Sequence, residues 1–175
     1  MDKQYFMNKA IKEAYICFKT GDIPVGAVVV NNNKIIGKGH NDRINKYDVT
    51  NHAEIIAIRN AEQNIKDWRL SECDLYVTLE PCDMCFEVIK NARIKNVYYL
   101  IKNSDNHHYT KTNKCTIIIN ENLMNKYKKD YQNFFKTTLN RWYLDNYIWY
   151  NNNREGELWI IKFYTENTVQ QTLMN

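Results

Sequence analysis

The segment Thr78–Cys85 limits the fold of this chain more than any other stretch. A strand-like run, Leu75–Leu79, leads directly into Pro81. Cys82 and Cys85 follow Pro81 at the start of a predicted helix. Proline is favoured in the first helical turn, where its missing N–H costs nothing. Backbone N–H groups at a helix start carry partial positive charge, which lowers the pKa of a nearby thiol. The sequence therefore predicts a strand-to-helix turn that presents two thiolates.

A histidine and a glutamate upstream complete a candidate metal site. His52 stands at the head of an apolar-periodic run, Ile55, Ile56 and Ile58, which predicts that it lies at the start of a second helix. One neutral imidazole and two thiolates make a three-ligand zinc site with the fourth tetrahedral position open, the arrangement of catalytic zinc. Glu54, two residues after His52, would then act as a general acid/base for the activated water.

Two other interpretations of Cys82 and Cys85 stay open on the residues alone. One is a redox dithiol, and the other is a closed structural zinc site. A structural site needs four protein ligands, and the sequence contains no second Cys-x-x-Cys. A dithiol would leave the His52-x-Glu54 pair unexplained. The sequence therefore favours one catalytic zinc per chain, with His52, Cys82 and Cys85 as its ligands.

Composition places the chain among intracellular globular proteins. Its 175 residues fit one domain with a modest appendage, and the net charge of +4 is compatible with an RNA partner without indicating one. Cys17, Cys73 and Cys115 are scattered singly, as is typical of a reducing compartment. The first residues lack a signal-peptide pattern, and no stretch is long and apolar enough to span a membrane. We expect a cytoplasmic protein without membrane association.

The order of predicted elements indicates an α/β domain over residues 1–139 and a C-terminal extension of unknown role over residues 140–175. The predicted helices cover roughly 3–19, 52–64, 82–91 and 123–139, and the predicted strands cover 25–30, 34–39, 74–79, 96–101 and 115–119. Alternating strands and helices predict helices on both faces of a sheet of about five strands. Both metal-bearing segments would lie near one end of this sheet.

Local signals support three details of this assignment. Asp2 is a suitable N-cap for the first helix. Asn31–Asn33 predicts a tight turn between the first two strands, because Asn tolerates the positive φ that such turns require. In the extension, Tyr147–Tyr150 and Glu157–Phe163 predict a second β-hairpin.

His52-x-Glu54 followed by Pro81-Cys82-x-x-Cys85 resembles the signature of the zinc-dependent nucleobase deaminases. Within that superfamily the chain is similar to the bacterial-type tRNA adenosine deaminases, which convert the wobble adenosine of an anticodon to inosine. This similarity runs over residues 3–101 and, more weakly, over 116–136. It implies a three-layer α/β/α cytidine-deaminase-like sandwich with a mixed sheet and one Zn²⁺ per subunit. It also implies a homodimer that binds the tRNA anticodon stem-loop.

The resemblance assigns roles to individual residues. Glu54 would shuttle the proton during hydrolysis. Asn41 would hydrogen-bond the target base, since an amide offers both donor and acceptor, although Asn is also common as a plain turn residue. Further substrate contacts are implied at Val25 and Ala53. RNA contacts are implied in the last core helix, at Phe134, Phe135 and Lys136.

The chain departs from the family pattern in elements that face RNA. The loop that starts at Lys102 is short, and Asn103 stands where an Asp is expected. The basic run after Phe135 is reduced to Lys136, with Arg141 beyond it. Two alternatives therefore stay open: a deaminase of free guanine, cytidine or deoxycytidylate, and a non-catalytic zinc-containing subunit that binds RNA. Glu54 speaks against the second, because a binding subunit needs no carboxylate beside an open zinc position.

Overall fold

The computed structural model describes residues 2–103, 114–117, 121–137, 147–151 and 158–162. The chain forms two compact units, Met1–Phe134 and Phe135–Asn175. The helices are α1 (Lys3–Ala14), α2 (Cys17–Thr20), α3 (Arg43–Lys46), α4 (Ala53–Ile65), α5 (Asp83–Asn91) and α6 (Glu121–Thr137). The strands are β1 (Gly26–Asn31), β2 (Lys34–His40), β3 (Cys73–Leu79), β4 (Asn96–Ile101), β5 (Lys114–Ile117), β6 (Tyr147–Asn151) and β7 (Leu158–Lys162).

The first unit contains a five-stranded mixed sheet in the order β2-β1-β3-β4-β5. Strand β1 pairs antiparallel with both β2 and β3, whereas β3–β4 and β4–β5 are parallel. A parallel pair needs a crossover connection, and α5 supplies it between β3 and β4. The start of β1 and the ends of β2 and β3 consequently lie together at one end of the strands. This end of the sheet, with the segments that flank it, is the site edge. This topology confirms the predicted mixed sheet of about five strands.

The β1–β2 hairpin closes through two asparagines. Asn32 and Asn33 have φ values of 47° and 62°, and Asn31 pairs with Lys34 on either side of them. Two consecutive positive φ values belong to the tight turn whose twist matches that of the strands. The prediction that asparagine makes this turn is confirmed.

The side chains of the strands alternate between two helical layers. Val29, Leu75 and Val97 belong to a buried cluster that also contains residues of α4 and α5. On the opposite face, the Phe6 ring of α1 lies 5.3 Å from the Tyr76 ring. Because neighbouring strand residues point to opposite faces, the almost continuously buried strands β1, β3 and β4 are covered on both sides. The predicted three-layer α/β/α sandwich is confirmed.

The first helix is shorter than the predicted range 3–19. Asp2 caps it as expected, since its Oδ1 accepts a hydrogen bond from the Tyr5 N–H at 3.1 Å. The backbone bonds then tighten to three-residue spacing, as where the Ile16 N–H donates to the Glu13 carbonyl, and α1 ends at Ala14. Cys17 is fully buried at the start of α2, where its thiol contacts the backbone carbonyls of Val25 and Asn41. This tighter turn is the difference from a continuous helix.

The other predicted boundaries differ by a few residues. His52 is the N-cap of α4, which ends at Ile65 and is followed by the C-cap Lys66 in a left-handed conformation. The short helix α3 lies within the stretch 40–51, which has little periodicity. Of the predicted strand 115–119, residues 118 and 119 lie outside the described residues.

In the second unit, β6 and β7 form an antiparallel hairpin that pairs Tyr147 with Lys162 and Asn151 with Leu158. This confirms the predicted hairpin. The predicted division of the chain at residues 139 and 140 stays a prediction. Within the described part of the chain, none of the helices has the length and apolar character that a bilayer crossing requires.

Candidate metal centre and active site

Two helix starts carry the predicted ligands to the shared edge of the sheet. His52 is the N-cap of α4, Cys82 is the N-cap of α5, and Cys85 lies in the first turn of α5. Neither His52 nor Cys82 uses its side chain to cap its own helix. Both side chains therefore stay available as ligands, in the positive end field of a helix.

The three side chains converge as a metal site requires. His52 Nδ1 lies 3.7 Å from Cys82 Sγ and 3.4 Å from Cys85 Sγ, and all three ligand atoms lie within 4.8 Å of one another. Tetrahedral zinc with ordinary Zn–N and Zn–S bond lengths would separate nitrogen and sulfur by about 3.6 Å. The observed separations and the donor set of one imidazole and two thiols therefore fit zinc.

The two thiols behave as a coupled pair. A hydrogen bond from the Cys85 thiol is the main cause that lowers the pKa of Cys82 to about 3, and His52 adds to the effect. The same hydrogen bond, together with burial, raises the pKa of Cys85. Cys82 thus carries the negative charge of the pair. Cys85 must lose its proton before both sulfurs can bind a metal, so zinc binding at this site releases protons.

Glu54 is buried beside these ligands. Its side chain is 4% exposed, and burial raises the pKa of its carboxyl to about 7. The charge of His52 and a hydrogen bond with Cys85 oppose this increase. A carboxyl with a pKa near neutrality can both accept and return a proton at neutral pH. The surroundings of Glu54 suit the predicted acid/base role, which stays a prediction.

Asn41 joins two backbone segments of the site edge. Its Nδ2 donates to the Ile23 carbonyl at 3.0 Å, and its Oδ1 accepts from the Ala53 N–H at 2.9 Å. Asn41 thereby satisfies a free N–H at the start of α4, where the His52 side chain makes no cap. An amide has a second N–H and a second lone pair, which leaves the predicted base contact available.

The other predicted substrate residues lie in two places. Val25 and Ala53 are both buried at the site edge, and the Val25 carbonyl accepts from the Asn41 N–H at 3.1 Å. Phe134 is buried in the core, and its ring meets that of Phe18 edge-on at 5.4 Å. Its burial speaks against the predicted RNA contact at Phe134. The side chains of Phe135 and Lys136 lie outside the described residues.

The loop that departs from the family pattern begins beside the metal-binding turn. The Asn103 N–H donates to Glu80 Oε2 at 3.2 Å. Glu80 directly precedes Pro81, so this hydrogen bond links the end of β4 to the start of the metal-binding turn. Residues 104–113 lie outside the described residues.

Sequence reasoning missed three buried polar residues at this edge. Asp22 is fully buried, and its Oδ2 accepts from the N–H groups of Arg43 and Ile44 at 2.5 and 3.0 Å. Thr78 and Tyr127 share a hydrogen bond behind the metal-binding turn. The only local signal for Asp22 is a polar residue between Gly21 and the Ile23-Pro24 pair. Thr78 and Tyr127 give no local signal, because both occur commonly in such elements.

Comparison with known proteins agrees with this geometry. Residues 1–101 match the sequence model of the cytidine and deoxycytidylate deaminase zinc-binding region. A tRNA-specific adenosine deaminase from Buchnera aphidicola subsp. Schizaphis graminum (strain Sg) is 50% identical over 95 residues, which cover 54% of this chain and 63% of the relative. The counterpart from Aquifex aeolicus (strain VF5) is 42% identical over 99 residues, covering 57% of this chain and 66% of the relative. The chain thus spans less than two thirds of the length of these curated relatives.

Solved structures show the same fold. A structure from a study of tRNA deaminases in A-to-I editing at the wobble position is 32% identical, with a TM-score of 0.63. The match covers 67% of this chain and all of that one. Guanine deaminase from Bacillus subtilis is 27% identical, with a TM-score of 0.55, over 75% of this chain and 95% of that one. The zinc-binding family and the His52, Cys82 and Cys85 geometry together confirm the predicted zinc cofactor.

Proposed function

The chain belongs to the cytidine and deoxycytidylate deaminase family, and on this premise we propose that it hydrolyses adenosine to inosine at the wobble position of a tRNA anticodon. The observation that carries the proposal is the convergence of His52, Cys82 and Cys85 within 4.8 Å, beside the buried carboxyl of Glu54. Three metal ligands and one acid/base group are the protein groups that hydrolytic deamination requires.

Each residue of the site has a defined task in this reaction. Zinc held by His52, Cys82 and Cys85 would lower the pKa of water from about 15.7 to roughly 7. Glu54 takes the proton of the attacking water and delivers it to the ring nitrogen of adenine. Glu54 then carries the proton of the new hydroxyl group at carbon 6 to the amino group, which leaves as ammonia while the carbon 6 carbonyl of inosine forms. Proton transfer of this kind contributes about 10²–10⁴ to the rate.

The choice of a tRNA substrate is supported by the relatives. The protein from Buchnera aphidicola that is 50% identical to the matched segment is named a tRNA-specific adenosine deaminase. An anticodon loop suits this chemistry, because removing a base from a single-stranded loop costs less than removing it from a duplex. We further propose that the protein acts as a homodimer in the cytoplasm, where tRNA is available and single cysteines stay reduced.

The test is inosine formation on a transcribed anticodon stem-loop with adenosine at the wobble position, beside a stem-loop with guanosine there. We expect inosine with the first RNA only. Glu54→Ala should retain one zinc per chain and lose about 10²–10⁴ in turnover, because it removes the proton shuttle and none of the ligands. Zinc content is measured in the same preparations.

Matched cysteine variants separate metal binding from a general loss of folding. Cys82→Ser should lose zinc, although serine is a good N-cap for α5. Cys73→Ala, at a buried free cysteine outside the metal-binding turn, should keep zinc. Near-normal turnover in Glu54→Ala would refute the role of Glu54. Free guanine is the second candidate substrate, because of the fold shared with guanine deaminase. A zinc-loaded protein that releases ammonia from guanine and forms no inosine would establish that alternative.

A further inference from the structure

The hydroxyl group of Tyr127 lies buried where three elements of the first unit meet. Tyr127 is on α6 and is 1% exposed. Its hydroxyl makes a short hydrogen bond with the Pro24 carbonyl and lies 2.8 Å from Thr78 Oγ1. A phenol has one proton, and a carbonyl can only accept. Tyr127 therefore donates to Pro24, and the Thr78 hydroxyl is the donor between the two hydroxyls.

Both partners of Tyr127 belong to segments that build the site. Pro24 directly precedes Val25, which lies at the site edge. Thr78 is near the end of β3, which leads through Pro81 into Cys82. The Gly26 N–H donates to Thr78 Oγ1 at 3.2 Å, so the same threonine also holds the start of β1. The hydroxyl pair of Tyr127 and Thr78 thus links the Pro24–Gly26 segment, which contains the predicted substrate residue Val25, to the strand that leads to the metal ligand Cys82.

The same segment is tied to the histidine-bearing helix. The Ile23 carbonyl accepts from Asn41 Nδ2 at 3.0 Å, and Asn41 Oδ1 accepts from the Ala53 N–H at 2.9 Å. His52 directly precedes Ala53. A continuous path of buried polar contacts and backbone consequently runs from Tyr127 through the 23–26 segment to the start of α4.

Two further contacts attach α6. The Tyr15 hydroxyl donates to Asp130 Oδ2 at 2.6 Å, and Phe18 packs edge-on against Phe134. Both contacts join α6 to the first two helices, and neither involves Pro24 or Thr78. The Tyr127 ring would also fill its place in the core without the hydroxyl, whose burial has a desolvation cost. Its oxygen therefore has a more specific task than attaching the helix.

We propose that Tyr127 is a positioning residue that sets the placement of the Pro24–Gly26 segment against the strand leading to the Cys82–Cys85 turn. Without the hydroxyl, the buried Pro24 carbonyl loses this donor and Thr78 loses its partner on α6. The segment is then free to shift relative to the metal ligands. The effect on turnover rests on the proposed deaminase function, whereas the effect on the metal site does not.

The test compares two Tyr→Phe variants that each remove one hydroxyl from an attachment of α6. Tyr127→Phe should lower zinc affinity about tenfold, measured by competition with a chelator, because it removes an outer support of the ligands. It should also lower kcat/KM for the stem-loop by about 10–100-fold, the cost of a small misplacement. The absorption bands of the Co²⁺-substituted protein should shift. Tyr15→Phe should leave zinc affinity, the Co²⁺ spectrum and kcat/KM within about twofold of the unmodified protein.

Threonine variants keep the proposal testable if Tyr127→Phe does not fold. Thr78→Val removes the hydroxyl that contacts Tyr127 at nearly constant side-chain shape, whereas Thr78→Ser retains a hydroxyl. We expect Thr78→Val to weaken zinc binding and alter the Co²⁺ spectrum, and Thr78→Ser to recover both. In the double variant, the effects of Tyr127→Phe and Thr78→Val should add to less than their sum, because both remove the contact between the two hydroxyls, although only Tyr127→Phe also removes the donor to Pro24.

Two results would overturn the proposal. One is Tyr127→Phe with unchanged zinc affinity, Co²⁺ spectrum and kcat/KM. The other is Thr78→Val equal to Thr78→Ser in the metal readouts. Absence of inosine formation by the unmodified protein would overturn the proposed function alone, since zinc affinity and the Co²⁺ spectrum are measured without RNA.

Discussion

Among single residues, Asn41 shows most clearly how a polar side chain organises the site edge. It connects the Ile23 carbonyl to the Ala53 N–H and is 4% exposed. Helix α4 needs such a partner, because an N-cap that serves as a metal ligand cannot also satisfy the first N–H groups of its helix. One amide therefore holds the segment before β1 and the helix that carries His52 and Glu54.

We expect Asn41→Ala to lower the free energy of unfolding by about 1–3 kcal/mol, because it leaves a buried donor and a buried acceptor without these partners. Urea unfolding of the zinc-loaded protein measures this change. Asn45→Ala is the matched control, since the Asn45 amide makes an exposed bond to Asp42, and we expect a change within about 0.5 kcal/mol. Equal stability of the two variants would show that Asn41 has no structural role beyond a base contact.

At the scale of elements, the close approach of α4 to β2 places the histidine. Gly37 and Gly39 face the helix, and a Cβ atom at either would overlap its backbone, at the Ala57 carbonyl and the Ala53 carbonyl respectively. Alanines on the helix face, Ala53, Ala57 and Ala61, are fully buried there. Small residues on both sides thus let α4 lie directly on the sheet. This close contact sets the position of His52, at the start of α4, relative to β2.

Gly39→Ala should push the start of α4 away from β2, because the new methyl group would meet the Ala53 carbonyl. We expect a loss of about 1–3 kcal/mol in stability, typical of overpacking, together with less than one zinc per chain. Metal analysis and urea unfolding test both effects. Lys38→Ala, at the exposed position between the two glycines, should keep full zinc content and change stability by about 0.5 kcal/mol or less. Full zinc content in Gly39→Ala would contradict the idea that this contact places His52.

For the whole molecule, the candidate site and the mixed sheet belong to the first unit. His52, Glu54, Cys82 and Cys85 lie within Met1–Phe134, as does the buried part of α6 that carries Tyr127 and Phe134. The second unit contains the β6–β7 hairpin. All three candidate ligands of the metal site, His52, Cys82 and Cys85, therefore belong to the first unit.

A chain that ends at residue 139 should therefore bind one zinc and unfold cooperatively, because it keeps the sheet, both helical layers and all three ligands. A chain that ends at residue 120 is the control. It lacks α6, so it should lose the fold through exposure of the surfaces that Tyr127 and Phe134 cover. Circular dichroism and metal analysis distinguish the two outcomes. If the chain that ends at residue 139 failed to bind zinc and no longer unfolded cooperatively, the extension would be part of the core.

The sequence by itself determined the metal ligands and the acid/base group that the candidate site is predicted to use. His52, Glu54, Cys82 and Cys85 lie within short motifs, and a helix start fixes the relative positions of groups only two or three residues apart. Alternation of strands and helices likewise predicted the layers, and Asn32 and Asn33 the hairpin turn, because these signals depend on neighbours in the chain.

Only the tertiary structure decided how those motifs are held. Tyr127 meets Pro24 across 103 positions of sequence, and Asn41 caps a helix whose N-cap is His52. The buried Cys17 thiol likewise contacts the carbonyls of Val25 and Asn41, which lie further along the chain. Each of these contacts joins segments that are brought together by the sheet order, and local sequence patterns carry no information on such long-range pairs. The sequence determined the candidate ligands and the candidate acid/base group, and long-range packing decided where they lie.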